Sequence, residues 1–260
     1  MIAKFNITLA CLLGIVSPNV MSEIVDLDFS NHQETTDGTD SQLGSSYSGA
    51  DMHFINVGTH DGKTIDAKVT SNTFGDATFL FHTPNYKQTT SSEPNGDIGF
   101  VYQTESAGAA GLVYKFEFYD GTDALSGTFS VPYIIPEFEF IGYDIDGEPR
   151  QSEQLRVFKS EGFFSYQTGS SAASLTVVEE ADGSVLFTGP GTNYDEANTS
   201  GAVKLVYKNS STVTLQFETV TAANSYFPNQ IFSAFDGNWE LSGFTNPTPT
   251  NDEFLSLIHI

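Results

Sequence analysis

The feature that most constrains the fold is an alternation of apolar and polar residues with a period of two. In residues 112–118 every even position is apolar, and Lys115 and Glu117 between them are charged. Residues 137–140 and 212–218 alternate in the same way. Because successive side chains of a strand point to opposite faces, this pattern predicts half-buried antiparallel strands.

Similar short apolar stretches recur along the chain, and turn signals separate them. Further strands are predicted at residues 52–57, 65–69, 78–81, 98–102, 163–166, 175–178, 185–187, 203–207 and 231–235. Asp-Gly turns stand at residues 61–62, 120–121, 146–147, 182–183 and 236–237. No segment carries a convincing helical stripe, and the best short candidate, residues 148–155, is polar.

This strand spacing, together with 22 Phe residues, predicts an all-β fold. We expect a two-sheet antiparallel β-sandwich with a Phe-rich core. A jelly-roll-like order is favoured because the body exceeds the ~100 residues of one immunoglobulin domain. Two smaller sandwiches divided near residues 132–136 are the alternative.

The two ends of the chain have different compositions from the body. Residues 1–22 are predicted to be a signal peptide, because Lys4 precedes an apolar stretch at residues 7–16 that is too short to span a membrane. Residues 23–246 are assigned to the β-sandwich domain, and residues 247–260 to a linker and an adapter-derived tail. The last six residues, 255–260, match the translation of a transposon-end sequencing adapter, so the natural chain is expected to continue past residue 254.

The chain is strongly acidic, with a formal charge of -23 from 33 acids and 10 bases. So few bases argue against nucleic acid, which requires clustered Lys and Arg, and against an anionic membrane surface. High negative charge favours solubility in a saline exterior, where salt screens self-repulsion. The other interpretation of the acids is divalent-cation binding.

Asp144, Asp146 and Glu148 form the best candidate metal site. Calcium binds several hard oxygen ligands, and alternating aspartates before a glycine turn can supply them. We expect Asp144 and Asp146 to lie in one loop with converging carboxylates. Asp26 and Asp28, near the start of the mature chain, form a second Asp-x-Asp pair. The competing interpretation of residues 144–148 is an ordinary Asp-Gly hairpin turn.

Other constellations point less clearly to chemistry. His53, His60 and Asp61 are a possible transition-metal or acid–base group, but their spacing fits no zinc pattern, and exposed histidines are the competing interpretation. No Gly-x-Ser-x-Gly elbow is present, and Glu137 and Glu139 lack the three-carboxylate spacing of laminarinase-type glycosidases. No catalytic residue is therefore assigned.

Three stretches resemble an uncharacterised module of large secreted or cell-surface proteins of marine bacteria and protists. They are FINVGT at residues 54–59, DGKTIDA at residues 61–67 and FIGYDIDG at residues 140–147. The resemblance implies an extracellular β-rich module that is often part of a longer chain.

Three functions follow as hypotheses. The first is a secreted, non-catalytic module for surface attachment or matrix interaction, with calcium as a structural cofactor and glycans or other surface proteins as partners. The second is a carbohydrate-binding jelly-roll module of a longer glycan-active enzyme. The third is a glycan-active enzyme in its own right. Exposed aromatic residues on a concave sheet would favour the second, and two carboxylates facing each other in a deep cleft would favour the third.

Overall fold

The computed structural model describes residues 23–33, 51–86, 97–104, 107–149, 151–171, 174–194, 198–221, 229–237 and 242–250. The predicted signal peptide at residues 1–22 and the predicted adapter-derived tail lie outside these ranges. Both stay predictions.

The described residues fold into strands joined by turns and three short 3₁₀ segments at Asp123–Leu125, Lys159–Glu161 and Thr199–Gly201. They contain no α-helix, and so no helix that could cross a membrane. The strands are β1 (His32–Gln33), β2 (Asp51–His60), β3 (Lys63–Phe74), β4 (Thr78–Tyr86), β5 (Asp97–Thr104), β6 (Gly108–Asp120), β7 (Ile135–Tyr143), β8 (Gln151–Phe158), β9 (Phe163–Thr168), β10 (Thr176–Glu179), β11 (Ser184–Thr188), β12 (Val203–Ser210), β13 (Thr212–Thr221), β14 (Asn229–Asp236) and β15 (Thr248–Pro249).

The strands form two antiparallel sheets that pack face to face, which confirms the predicted β-sandwich. The first sheet has the order β1-β2-β3-β6-β13-β8-β11-β10, and the second has the order β15-β9-β12-β7-β14-β5-β4. Most connections pass from one sheet to the other, as in a jelly roll. Strand β6 pairs with β13 over ten residues, so the two halves of the chain share one sheet and the alternative of two separate sandwiches is wrong.

Aromatic side chains from both sheets pack against one another between the sheets, together with many aliphatic side chains. Phe116 and Phe140, on opposite sheets, have ring centroids 4.8 Å apart, and Phe138 contacts Phe118 across the same interface at 5.2 Å. All four are essentially fully buried. Burial on this scale stabilises a fold without disulfides, at about 25 cal/mol per Å² of apolar surface removed from water.

The segment that precedes β1 also belongs to the core. The Val25 amide donates to the carbonyl of Glu137 in the second sheet, and the Asp28 amide donates to Val57 in the first. Between these two residues the chain passes from the second sheet to the first. Phe29 is fully buried, and its ring lies 5.3 Å from that of Phe54.

The residues before the C-terminal tail lie on the edge of the second sheet. Thr248 and Pro249 pair with Tyr166 and Ser165 of β9, and Thr250 is only 3% exposed. Part of the predicted linker therefore adds an edge strand to the sandwich.

Candidate functional site: a cavity at one end of the sandwich

A cavity of about 430 Å³ lies where β8 begins and β13 ends. The β7–β8 loop forms one wall and the segment after β11 forms another. The lining residues are Glu148, Pro149, Gln151, Ser152, Gly189, Pro190, Gly191 and Val220. Loops at the end of a β-sandwich are common binding sites because a rigid scaffold holds them in place.

Glycines and backbone hydrogen bonds hold the two loops together. Gly147 has φ +90°, a left-handed conformation that glycine adopts without strain. The Gly191 amide donates to the carbonyl of Asp146 at 2.9 Å, and the Gly189 amide donates to that of Glu153 at 2.8 Å. A Cβ at Gly189 would lie 2.4 Å from the Asp146 carbonyl oxygen. The close approach of the loops therefore requires glycine at residue 189.

Two buried carboxyl groups lie behind the cavity wall. The Asp146 carboxylate is 4% exposed and accepts from the backbone amides of Gly147 and Tyr194. Glu153 is 8% exposed. It accepts from the Asp146 amide and from Nε2 of Gln151, both at 3.3 Å. These acids tie the β7–β8 loop to its neighbours, and neither lines the cavity.

The environment of these acids favours their protonated forms. Burial raises the pKa of Glu153 well above its usual range, and the nearby Asp146 and Asp144 raise it further. Burial also raises the pKa of Asp146, while hydrogen bonds from Tyr194 and Gly147 partly oppose that rise. Burial at this end of the sandwich therefore raises the pKa of both carboxyl groups.

The residues predicted to bind calcium divide between two places. Asp144 is half-buried, Asp146 is buried and Glu148 is exposed at the cavity, and all three lie in the β7–β8 loop. Within the described ranges, no group of three or more His, Cys, Asp or Glu side chains is arranged to hold a metal ion. The calcium site therefore stays a prediction.

The second acidic pair lies elsewhere. Asp26 is exposed, and Asp28 accepts from the Ser30 amide at 2.8 Å. Val25 pairs with Phe138, six residues before Asp144 along β7, or roughly 20 Å at ~3.3 Å per residue. The fold does not bring the two acidic pairs together.

The histidines lie at different places along the β2–β3 hairpin. Nδ1 of His60 lies 2.9 Å from the Tyr133 hydroxyl and 3.8 Å from Asp61, whereas the ring of His53 packs on Phe129 at 4.5 Å. His60 pairs with Lys63 and His53 pairs with Lys68 in the hairpin. His53 therefore does not join His60 and Asp61 in one group.

The basic side chains are largely neutralised on the surface. Lys and Arg residues in the described part of the chain form ion pairs with acidic side chains. The pairs are Lys63–Asp120 at 2.6 Å, Lys115–Glu117 at 2.8 Å, Arg156–Glu218 at 3.1 Å, Lys159–Glu179 at 2.8 Å, Lys204–Glu139 at 2.8 Å and Lys208–Glu137 at 3.7 Å. Glu137 and Glu139, which the sequence placed on one face, are thus partners of lysines on the neighbouring strand β12.

This chain has only a distant likeness to known proteins. No protein family model matches the sequence, and no curated protein matches it. The fold resembles the N-terminal domain of the Streptococcus gordonii adhesin Sgo0707, with a TM-score of 0.45, 15% identity and coverage of 83% of this chain and 52% of that one. It also resembles the adhesin domain of PrgB from Enterococcus faecalis, with a TM-score of 0.39, 12% identity and coverage of 75% and 64%.

A third solved structure, glucan binding protein C of Streptococcus mutans, has a TM-score of 0.36 and 10% identity, with coverage of 77% of this chain and 61% of that one. The chain spans about half the length of the Sgo0707 structure and less than two thirds of the other two. The likeness is one of general strand arrangement.

Proposed function

We propose that this chain is a non-catalytic, extracellular β-sandwich module for surface attachment or matrix interaction. The observation that carries the proposal is the cavity at the β8 end of the sandwich, whose loops are fixed by glycines and by buried carboxyl groups. A preformed concavity binds a partner without the entropic cost of ordering loops. The proposal includes secretion or cell-surface display, in line with the predicted signal peptide.

The charge distribution supports an uncharged or cationic partner. The formal charge is -23, and the ion pairs leave few basic groups to contact phosphate. Glu148 and Ser152 offer hydrogen-bonding groups at the cavity. We therefore propose glycans or other surface proteins as partners, with no nucleic acid and no membrane insertion.

The test is binding of the full chain to immobilised neutral polysaccharides, a glucan, a galactan and chitin, and to matrix proteins. Val220→Trp places a large ring in the cavity from a side chain that is 37% exposed. We expect it to weaken binding at least about tenfold. Val178→Trp is the matched control, because Val178 is 46% exposed on edge strand β10 and does not line the cavity. Equal binding by both variants would contradict the proposed site.

The second candidate function is a carbohydrate-binding jelly-roll module of a longer glycan-active enzyme. The exposed carboxyl group of Glu148 and the hydroxyl of Ser152, on residues that line the cavity, favour it, because such groups pair with sugar hydroxyls. Binding to polysaccharides alone would support this candidate, and binding to matrix proteins alone would contradict it. Release of sugars from the panel would instead support an enzyme.

Structural calcium belongs to the same proposal. Asp144, Asp146 and Glu148 share one loop, and the Glu153 carboxyl group accepts a hydrogen bond from the Asp146 amide at 3.3 Å, which supports a cluster of acidic oxygens in this region. We expect the unfolding midpoint of the full chain to rise with calcium at fixed ionic strength, and Asp144→Ala to abolish the rise. Identical midpoints in calcium and in chelator would contradict calcium binding.

A further inference from the structure

Asp-Gly turns recur in this chain, and the one at residues 61–62 differs from the others in its contacts. It forms the two-residue loop between β2, which ends at His60, and β3, which begins at Lys63. The Asp61 side chain is 86% exposed, and its carboxylate lies 3.8 Å from Nδ1 of His60, beyond hydrogen-bond distance. The Gly62 amide donates to no residue that the structure describes, and the space around this glycine is open.

The side chain of Asp61 and the amide of Gly62 can react with each other. The Gly62 nitrogen attacks Cγ of Asp61, and the amide proton and a carboxyl hydroxyl leave as one molecule of water, which gives a five-membered succinimide ring. Water then opens the ring on either side. Breaking the bond from nitrogen to Cγ restores aspartate, whereas breaking the bond from nitrogen to the main-chain carbonyl carbon gives isoaspartate, whose backbone runs through Cβ. No atom is oxidised or reduced, and water is the only reagent.

The turn reaches the geometry for this reaction without breaking the hairpin. Asp61 has φ +50° and Gly62 has φ +75°, the two positive angles of a type I′ turn. A flip of the peptide plane between them gives a type II′ turn, in which ψ of the first central residue is about −120°. That rotation turns the Gly62 nitrogen towards the Asp61 carboxyl group. The flanking pair His60–Lys63 is kept, because both turn types close two-residue hairpins and glycine accepts either sign of φ.

The turn at Asp182–Gly183 is the matched comparison, because Asp182 is also exposed. Its Oδ1 accepts from the amide and the hydroxyl of Ser184, at 2.9 and 2.7 Å, and the Gly183 amide donates to the carbonyl of Glu180 at 3.1 Å. A peptide flip breaks the last of these bonds, and attack on Cγ disrupts the other two. The hydrogen bonds from Ser184 also lower the pKa of Asp182, which reduces the share of protonated carboxyl group from which water can leave.

Two further Asp-Gly pairs with described side chains are also restrained. Asp120 pairs with Lys63 at 2.6 Å, and the Gly121 amide donates to the carbonyl of Thr64 at 2.8 Å. Asp146 is buried and accepts from two backbone amides. The pair at the tip of the β2–β3 hairpin therefore has the fewest contacts to break.

We propose that Asp61–Gly62 is a site of spontaneous covalent modification, at which the folded chain converts aspartate to isoaspartate through a succinimide. The modification adds one backbone atom to the hairpin turn. It does not depend on the proposed attachment function, because it needs neither the cavity nor a partner.

The experiment follows the incorporation of ¹⁸O from labelled water into the folded full chain at pH 6. Each opening of a succinimide places one solvent oxygen in the carboxyl group, so peptide mapping gives the rate at each Asp-Gly pair, and fragmentation separates isoaspartate from aspartate. We expect incorporation at residue 61 to be at least about ten times faster than at residue 182, because three hydrogen bonds hold the second pair and each is worth up to about tenfold in rate. Labelled isoaspartate is expected to accumulate at residue 61.

The same chain unfolded in guanidinium chloride controls for the neighbouring sequence, and there we expect the two rates to be nearly equal. Asp61→Glu, which can form only a six-membered ring and does so more slowly, is expected to remove the label at residue 61 and to leave the rate at residue 182 unchanged. A folded-state rate at residue 61 no higher than that at residue 182, or a ratio of the two rates that folding does not raise, would overturn the proposal.

Discussion

Asp66 is fully buried on β3 and holds two loops by their backbone amides. It accepts from Asn56 at 2.9 Å and from Gly127 at 2.7 Å. Asn56 has φ +54° within the irregular part of β2, a left-handed conformation that asparagine adopts more readily than most other non-glycine residues, and the hydrogen bond to Asp66 fixes it there. A Cβ at Gly121 would lie 2.2 Å from the Asp66 carboxylate, so the adjoining turn requires glycine.

Asp66→Ala is predicted to destabilise the chain by roughly 3 kcal/mol, because it removes the two hydrogen bonds that the buried Asp66 carboxyl group accepts from loop amides. The measurement is chemical denaturation of both proteins at pH 7. Asp61→Ala is the matched control, because its side chain is 86% exposed in the same hairpin, and we expect a change within about 0.5 kcal/mol. Equal effects of the two substitutions would show that Asp66 does not hold the loops.

Burial of Glu153 predicts how the stability of the folded chain depends on pH. Its pKa, raised above the ordinary 4.5 by burial and by Asp146, means that the folded state binds a proton that the unfolded state has lost. Stability is therefore expected to fall as the pH rises above about 4.5, at no more than about 1.4 kcal/mol per pH unit from this one group. Glu153→Gln is predicted to raise the unfolding midpoint at pH 7–8 and to have little effect at pH 4.

Glu148→Gln serves as the charge control, because Glu148 is exposed at the same end of the molecule. A pH dependence of stability that is unchanged in Glu153→Gln would contradict this account.

The pKa of Asp120 is shifted in the opposite direction. The hydrogen bond from Lys63 lowers the pKa of Asp120 to about 2. The ionised Asp120 therefore stabilises the folded state above pH 4, and this stabilisation is lost as the pH falls towards 2.

At the scale of elements, strand β8 was not predicted from the alternation of apolar and polar residues, and its side chains show why. Residues 148–155 were the best helix candidate, yet Gln151–Phe158 is a strand in the middle of the first sheet. Its buried positions include Gln151 and Glu153, so the inward face is as polar as the outward face at that end. The alternation of burial is present, but the alternation of hydrophobicity is not.

The segment at residues 23–33 acts as a structural element although it pairs only briefly. Phe29→Ala is predicted to destabilise the chain by about 3–5 kcal/mol, because it removes a buried ring that contacts Phe54, Phe116 and Phe140. The measurement is the free energy of unfolding in guanidinium chloride.

Ile24→Ala is the control for Phe29→Ala in this segment, since Ile24 is 44% exposed and we expect a change below about 1 kcal/mol. A cost of Phe29→Ala as small as that of Ile24→Ala would show that the N-terminal segment is not part of the core.

For the whole molecule, net charge predicts a response to salt. At -23 the folded chain repels itself, and sodium chloride shortens the screening length from ~10 Å at 0.1 M to ~3 Å at 1 M. The surface ion pairs that salt weakens contribute only about 0–1 kcal/mol each. We therefore expect the unfolding midpoint to rise between 0.05 and 1 M salt in scanning calorimetry. A falling midpoint would mean that the ion pairs outweigh the repulsion.

The sequence by itself determined the fold class. Period-2 alternation and recurring Asp-Gly turns predicted the sandwich, because the face to which each side chain of a strand points depends on local side-chain polarity alone. It also placed Asp144, Asp146 and Glu148 in one loop. Only the tertiary structure decided which distant residues meet. It separated Asp26 and Asp28 from that loop, brought Glu153 behind Asp146, and faced Tyr102 with Thr219 across the sheets. Those contacts depend on strand order and register. A polarity pattern does not determine either of them, because many different strand pairings bury the same apolar faces.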